Sequence, residues 1–198
     1  ELLIDFTCTQ VDAEGYPTMQ AHPGGAPANF LAALSAFGCK TAMLGKVGND
    51  AFGAMLTDTL RQRGISTQGL VHDDHVFTTL AFVTLDATGN RSFSFARKPG
   101  ADTCIRFEEV DLSIIDACRV FHFGTLSLTD EPARSATYQT VDYARENGKL
   151  ITFDPNLRKP LWANLDSAKE EMLSVFAHLE VMEKELEELH NLIDTQTD

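Results

Sequence analysis

His22-Pro23-Gly24-Gly25-Ala26-Pro27-Ala28-Asn29 is the stretch that decides the fold, and it leads directly into the apolar segment 30–37 and then Gly38. Adjacent glycines permit positive φ and the close approach of another molecule, and proline suits the first turn of a helix. The pattern predicts a bare loop before a helix N-terminus, whose free N–H groups attract hydroxyls and anions. A glycine turn before an ordinary buried helix is the alternative, and the motif alone does not separate the two.

Composition limits the classes of function. The chain has 198 residues, is 43% hydrophobic and carries a net charge of −13, which fits one globular domain and disfavours nucleic acid and anionic membranes as partners. No apolar run is long enough to span a membrane. The first residues begin without Met and lack the basic region of a signal peptide, so we expect a trimmed start. The four cysteines are far apart, which predicts buried free thiols, no metal site and a cytoplasmic location.

Strand and helix patterns alternate along the chain. Residues 2–6 read as a core strand with Asp5 at its carboxyl end, and 8–20 read as irregular. The later elements follow in the order strand 41–47, a helix capped by Asn49 or Asp50, a helix over 107–118, strand 120–124, a helix from about 132 to 146 and strand 149–154. This order is typical of a parallel sheet, in which ligands bind at the carboxyl ends of the strands.

One segment breaks the alternation. Residues 78–85 and 91–97 read as two alternating strands around a Gly89-Asn90 turn. The hairpin is either an edge extension of the main sheet or a lid. Phe93 and Phe95 share a face that would close over a cleft and exclude water, and we count Phe82 with them as a lid residue.

Four motifs in order resemble one family. Pro-Gly-Gly-Ala-Pro-Ala-Asn at 23–29, Gly-Lys-Val-Gly-Asn-Asp at 45–50, Phe-Ala-Arg-Lys-Pro-Gly-Ala-Asp at 95–102 and Phe-Asp-Pro-Asn-Leu-Arg at 153–158 are similar to those of the ribokinase-like (phosphofructokinase-B type) carbohydrate kinases, fructokinase branch. The likeness covers about residues 1–170. It implies an α/β, Rossmann-type three-layer sandwich, incomplete at its C-terminus. Residues 1–171 would form its substrate-binding part, with a small β lid at about 8–22 and 76–102.

The resemblance implies a set of substrate-binding residues, namely Asp5, Gly24, Gly25, Asn29, Arg97, Asn156 and Arg158. Asp5 and Asn29 would bond sugar hydroxyls, and the glycines would lie against the sugar. Arg97 would reach substrate or phosphate, although a lone lid arginine is equally well a solvated charge. Asn156 and Arg158 would line the cleft near the transferred phosphate.

The resemblance also implies ATP- and Mg²⁺-dependent phosphorylation of a hexose such as D-fructose at a primary hydroxyl. Ribose, 2-keto-3-deoxygluconate or a nucleoside are alternative substrates. The family's catalytic aspartate lies in a Gly-Ala-Gly-Asp loop, and neither Gly-x-Gly-Asp nor the family's magnesium-linked Asn-x-x-Glu occurs in these 198 residues. We therefore assign no catalytic residue and no metal ligand here, and expect no turnover by this chain alone.

Residues 172–198 form an acidic segment with apolar residues at heptad spacing from Met172 to Ile193. The pattern predicts either one amphipathic helix covering the sheet or a coiled coil joining copies. We expect a small sugar as ligand and a homodimer formed through the lid or this helix. A non-catalytic sugar-binding fragment that oligomerises through the helix is the competing hypothesis.

Overall fold

The computed structural model describes residues 1–85 and 91–178. The chain divides into two compact units, Glu1–Leu161 and Trp162–Asp198. The described strands are β1 Leu3–Val11, β2 Pro17–Gly24, β3 Thr41–Ala42, β4 Gly45–Gly48, β5 Ile65–Ser66, β6 Leu70–Asp73, β7 Leu80–Leu85, β8 Arg91–Ala96, β9 Val120–Gly124 and β10 Leu150–Asp154. The α-helices are α1 Ala26–Ala36, α2 Ala51–Gln62, α3 Leu112–Ala117, α4 Ala133–Glu146 and α5 Leu165–His178. The predicted Gly89-Asn90 turn and residues 179–198 of the heptad segment lie outside the described residues.

Four strands form one sheet in the order β2-β1-β7-β8. β1 is antiparallel to β2 and parallel to β7, and β8 is antiparallel to β7. The prediction of a core strand that ends near Asp5, followed by irregular 8–20, is wrong. Asp5 lies inside a long strand that pairs on both sides, and main-chain pairing carries that strand on through polar residues to Val11.

The remaining strands form parallel pairs, namely β3 with β5, β4 with β6 and β9 with β10. The predicted strand 41–47 is interrupted because its pairing partner changes. The Met43 N–H donates to the Ser66 carbonyl beside β5, whereas the Gly45 N–H donates to the Gly69 carbonyl next to β6. Helices α2 and α4 follow β4 and β9 as the sequence predicts, with Asp50 confirmed as the α2 cap.

Local sequence explains where the helices begin and end. Asp50 accepts hydrogen bonds from the Phe52 and Gly53 N–H groups, each at 2.9 Å, which caps α2. Gly64 and Gly148 follow α2 and α4 with φ of +73° and +66°, a conformation that favours glycine. The predicted helix over 107–118 is instead a 3₁₀ turn followed by the shorter α3.

The apolar core joins the start of β1 to the neighbouring helix and parallel strands. Its fully buried members include Ile4, Val47 and Leu56. Of the described helices, none is long and apolar enough to cross a membrane. All four cysteines are described and none forms a disulfide. The expectation of buried thiols is wrong, because Cys39 is exposed and the other three are only partly buried.

Candidate functional site

One face of the four-stranded sheet brings together residues from all of its strands. Strand register places two rows of side chains on this face, His22-Asp5-Ala81-Phe95 and Gln20-Thr7-Val83-Phe93. Side chains alternate between the faces of a sheet, so the residues between these rows point the other way. We call this surface the Asp5 face.

Asp5 and Gly24 are in direct contact on this face. A Cβ atom added to Gly24 would clash with Asp5 Oδ2, so a larger residue would require this carboxylate to move. Burial raises the pKa of Asp5, while the positive charge of Arg158 and then that of His22 oppose the rise. Asp5 is therefore a partly desolvated acceptor with a cation nearby, which suits recognition of hydroxyl groups.

The loop after β10 reaches the same face. The Cζ atom of Arg158 lies 5.4 Å from the centroid of the Phe93 ring, and its Nη1 donates to Asn156 Oδ1. Phe93 and Phe95 stack with ring centroids 6.3 Å apart and an interplanar angle of 14°. The structure thus brings Asp5, Gly24, the two phenylalanines and Arg158 to one region.

Phe82 lies on the opposite face of the sheet. Its ring stacks on Phe6 at 5.4 Å between centroids, and Phe6 in turn meets Phe52 edge-on. It therefore packs the sheet against α2, whereas Phe93 and Phe95 face Asp5. Val83 pairs with Phe93 and shares its face of the sheet. Phe82 is the residue before Val83, so its side chain lies on the other face.

Gly25 forms the N-terminal cap of α1, with φ of +108°. A Cβ atom at Gly25 would lie 2.7 Å from the Glu1 carbonyl oxygen, so only glycine fits at this position. The Ala26 N–H at this helix end donates to Glu1 Oε1 at 3.0 Å. Asn29 is exposed in the first turn of α1, and its bond to a sugar hydroxyl stays a prediction.

Arg97 is only 3% exposed, so the alternative of a solvated lid charge is wrong. Its Nε and Nη2 both donate to Asp102 Oδ2, at 2.9 and 2.8 Å. Nη2 also donates to the Leu126 carbonyl and Nη1 to Thr129 Oγ1. These contacts join β8 to the segments that follow β9, and a substrate would have to compete with them for this guanidinium.

Comparison with known sequences decides the family. The sequence model described as pfkB family carbohydrate kinase matches residues 1–198. The chain belongs to the pfkB family of carbohydrate kinases. The probable fructokinase-4 of Arabidopsis thaliana is 44% identical over 191 residues, covering 96% of this chain and 59% of that protein. Such relatives put this pfkB family member in the fructokinase branch, as the motifs predict.

Solved structures confirm the predicted ribokinase-like α/β fold. The fructokinase of Xylella fastidiosa superposes with a TM-score of 0.81 at 34% identity, over 86% of this chain and 54% of that one. A fructokinase of Vibrio cholerae O395 in fructose, ADP and calcium ion bound form gives 0.77 at 28% identity, over 91% of this chain and 56% of that one. The Xylella enzyme has also been solved with bound ATP. This pfkB chain spans little more than half the length of these relatives.

The described residues contain no cluster of metal-binding side chains. Across 1–85 and 91–178, no group of three or more His, Cys, Asp or Glu side chains is placed to hold a metal ion. In the segment His72-Asp73-Asp74-His75, the Asp73 carboxylate pairs with the Lys46 ammonium at 2.9 Å, while Asp74 accepts from the Asn49 amide.

Sequence reasoning missed that Gln20 and His22 lie on the Asp5 face. They lie across β1 from Thr7 and Asp5, in residues that read as irregular or as a loop. Period-two alternation through residues 3–11, followed to its pairing partner, is the signal that finds them.

Proposed function

We propose that this chain is the sugar-binding part of a fructokinase-like kinase, which in its whole form transfers a phosphoryl group from ATP to a primary hydroxyl of a hexose such as D-fructose. The observation that carries the proposal is the Asp5 carboxylate, partly desolvated beside Gly24, on the same face as Phe93 and Arg158. Family membership supports the reaction class.

The Asp5 face has the chemistry that a polyol needs. The Asp5 carboxylate accepts hydrogen bonds from hydroxyls, and Gly24, which has no Cβ atom, leaves room for that carboxylate. Stacked Phe93 and Phe95 offer an apolar surface to the C–H side of a sugar ring. A site with polar groups placed for particular hydroxyls discriminates against analogues that leave those groups unpaired.

In phosphoryl transfer a protein mainly positions groups and supplies positive charge. ATP supplies the phosphoryl group, and Mg²⁺ neutralises its charge when bound. Within this chain, Asp5 would orient the sugar, Arg158 would present its charge near the acceptor hydroxyl, and the β7–β8 hairpin would exclude water. With no Gly-x-Gly-Asp loop in the sequence, we propose that these 198 residues bind sugar without turnover.

Calorimetric titration with D-fructose, D-ribose, 2-keto-3-deoxygluconate and adenosine tests the substrate class. If fructose binds most tightly, the result supports the proposal. If another of the four ligands binds most tightly, that ligand becomes the proposed substrate. A coupled ATP/fructose assay on the same preparation tests turnover. Phosphorylation above that of a D5N control would overturn the inference that the chain lacks its base.

We extend the proposal to a cytoplasmic location and to a homodimer formed through the lid or the C-terminal helix. Strand β2 forms one edge of the four-stranded sheet and most of its residues are exposed, and the segment 172–193 has heptad spacing. Both features support the dimer. Sedimentation of the chain, compared with a variant ending at His178, separates the two interfaces. Loss of dimer on truncation would favour the helix, and an unchanged dimer would favour the lid.

A further inference from the structure

The Asp5 face is divided into a polar half and an apolar half. Strands β2 and β1 supply the polar half, and β7 and β8 supply the apolar half. The polar members are His22, Gln20, Asp5 and Thr7, and the apolar members are Ala81, Val83, Phe95 and Phe93. A sugar has a matching division, with hydroxyls around its edge and C–H groups on its ring faces.

The two halves differ in exposure. In the apolar half Ala81 and Val83 are buried, and the guanidinium of Arg158 lies over the Phe93 ring. In the polar half the side chains of His22 and Gln20 are both exposed. The open side of Asp5 is therefore the side of β2, where its neighbours are polar.

His22 is the nearest of these neighbours along the strand register. It lies directly opposite Asp5, and residues opposite each other in antiparallel strands have Cβ atoms about 4.5–5.5 Å apart. Burial raises the pKa of Asp5, and the charges of Arg158 and then His22 oppose the rise, which agrees with this proximity. Gln20 lies two residues before His22 on β2, opposite Thr7.

The hydrogen-bonding groups of His22 and Gln20 are free. Among the residues that the structure describes, neither side chain forms a hydrogen bond with another part of the chain. An ionised carboxylate only accepts hydrogen bonds, whereas imidazole and amide groups also donate them. A hydroxyl that donates to Asp5 still has an oxygen that needs a donor, and β2 provides donors beside it.

We propose that His22 and Gln20 are specificity-determining contacts of the sugar, which donate hydrogen bonds to hydroxyl oxygens next to the hydroxyl held by Asp5. The inference rests on the proposed function, and it adds a polar edge strand to the site. It favours a ligand with adjacent hydroxyls over one that has a single hydroxyl to offer, because unmatched polar groups lower affinity.

Calorimetric titration with D-fructose tests the contacts. His22→Leu should weaken binding by about three- to tenfold, as for loss of one hydrogen bond, and His22→Gln should recover part of the loss because it keeps an N–H donor. Gln20→Glu replaces the donor with an acceptor of the same shape and should weaken binding by a similar factor. His75→Leu, at an exposed position after β6, is the matched control and should leave affinity unchanged.

A panel of monodeoxy analogues of D-fructose separates direct contact from an indirect effect. For the analogue that lacks the hydroxyl paired with His22, H22L should bind as well as the parent chain, because the interaction is already absent. For the other analogues H22L should keep its three- to tenfold loss, or about that. The unfolding temperature of H22L should equal that of the parent, since His22 is exposed.

Two results would overturn this inference alone. The first is fructose binding that is weakened by D5N and unchanged by both H22L and Q20E. The second is an H22L loss of the same size for fructose and for every deoxy analogue, which would make the effect indirect. A parent chain that binds no fructose would overturn the proposed function, and this inference with it.

Discussion

The guanidinium of Arg158 lies over the ring of Phe93, with its Cζ atom 5.4 Å from the ring centroid. The contact connects the loop after β10 to the edge strand β8. The same cation lowers the pKa of Asp5 against the effect of burial. A residue 153 positions further along the chain thus acts on the carboxylate that we propose to bind the sugar.

Replacing Arg158 with glutamine should raise the pKa of Asp5, because the cation that stabilises its ionised form is removed. Carbon-detected NMR titration of the Asp5 carboxyl group measures this directly. Phe93→Leu is the comparison variant, because it removes the ring under Arg158 and leaves the charge unchanged. Its readout is fructose affinity, which we expect to fall by about two- to fivefold, as for loss of an exposed cation–π contact. An Asp5 pKa that is identical in R158Q and the parent would contradict the electrostatic link.

Asp5→Asn should weaken fructose binding by about 10- to 100-fold, because hydrogen bonds to a charged acceptor are lost. It should not lower the unfolding temperature, since burial disfavours the ionised form of Asp5. Asp58→Asn, at an exposed position on α2, is the charge-matched control and should change neither quantity. Unaltered affinity in D5N, measured by calorimetry, would remove Asp5 from the site.

The raised pKa of Asp5 also predicts a pH dependence of stability. The folded pKa lies above the unfolded value, so the folded state binds the proton more tightly. The stabilisation is complete below the unfolded pKa of 3.8 and is lost as pH rises through the folded pKa. The difference in unfolding free energy between D5N and the parent should therefore shift in favour of D5N as pH rises through this range. Urea titrations at several pH values measure it.

Lys46 and Asp73 predict a pH dependence of the opposite sign. The hydrogen bond from Lys46, followed by one from the His75 N–H, lowers the pKa of Asp73 to about 2. Its stabilisation is complete above the unfolded value of 3.8 and is lost as pH falls through about 2. Asp73→Asn should cost about 1–3 kcal/mol at neutral pH and less at pH 2. Asp74→Asn, which changes an exposed neighbour, should cost less than about 1 kcal/mol, and equal costs in the two variants would refute the assignment.

Arg97 and Asp102 should behave as a buried ion pair. Arg97→Met leaves the Asp102 carboxylate buried without its cation and should cost about 3–5 kcal/mol in urea unfolding. Arg61→Met breaks the exposed pair with Asp58 and should cost less than about 1 kcal/mol. The double variant R97M/D102L should recover part of the loss, because no unpaired charge remains. If the unfolding free energy lost in R97M/D102L equals the sum of the losses in R97M and D102L, the two residues are not a coupled pair.

Several features followed from sequence alone because their causes are local. The Asp50 cap depends on N–H groups two and three residues away, and the turn glycines depend on their own φ. The α/β class and the fructokinase branch followed from periodicity and from four motifs in order. For the cap and the glycines, the deciding interaction lies within a few residues of the residue that reveals it.

The tertiary structure decided which side chains meet. Whether Phe82 or Phe93 faces Asp5 depends on strand register, and one residue of register reverses the face. Which arginine is free to face a ligand depends on its contacts. Arg97 donates to Asp102 and to the Leu126 carbonyl, whereas Arg158 lies over the Phe93 ring. Local pattern carries no information about such long-range pairing, because it is set by how the sheets and loops pack together.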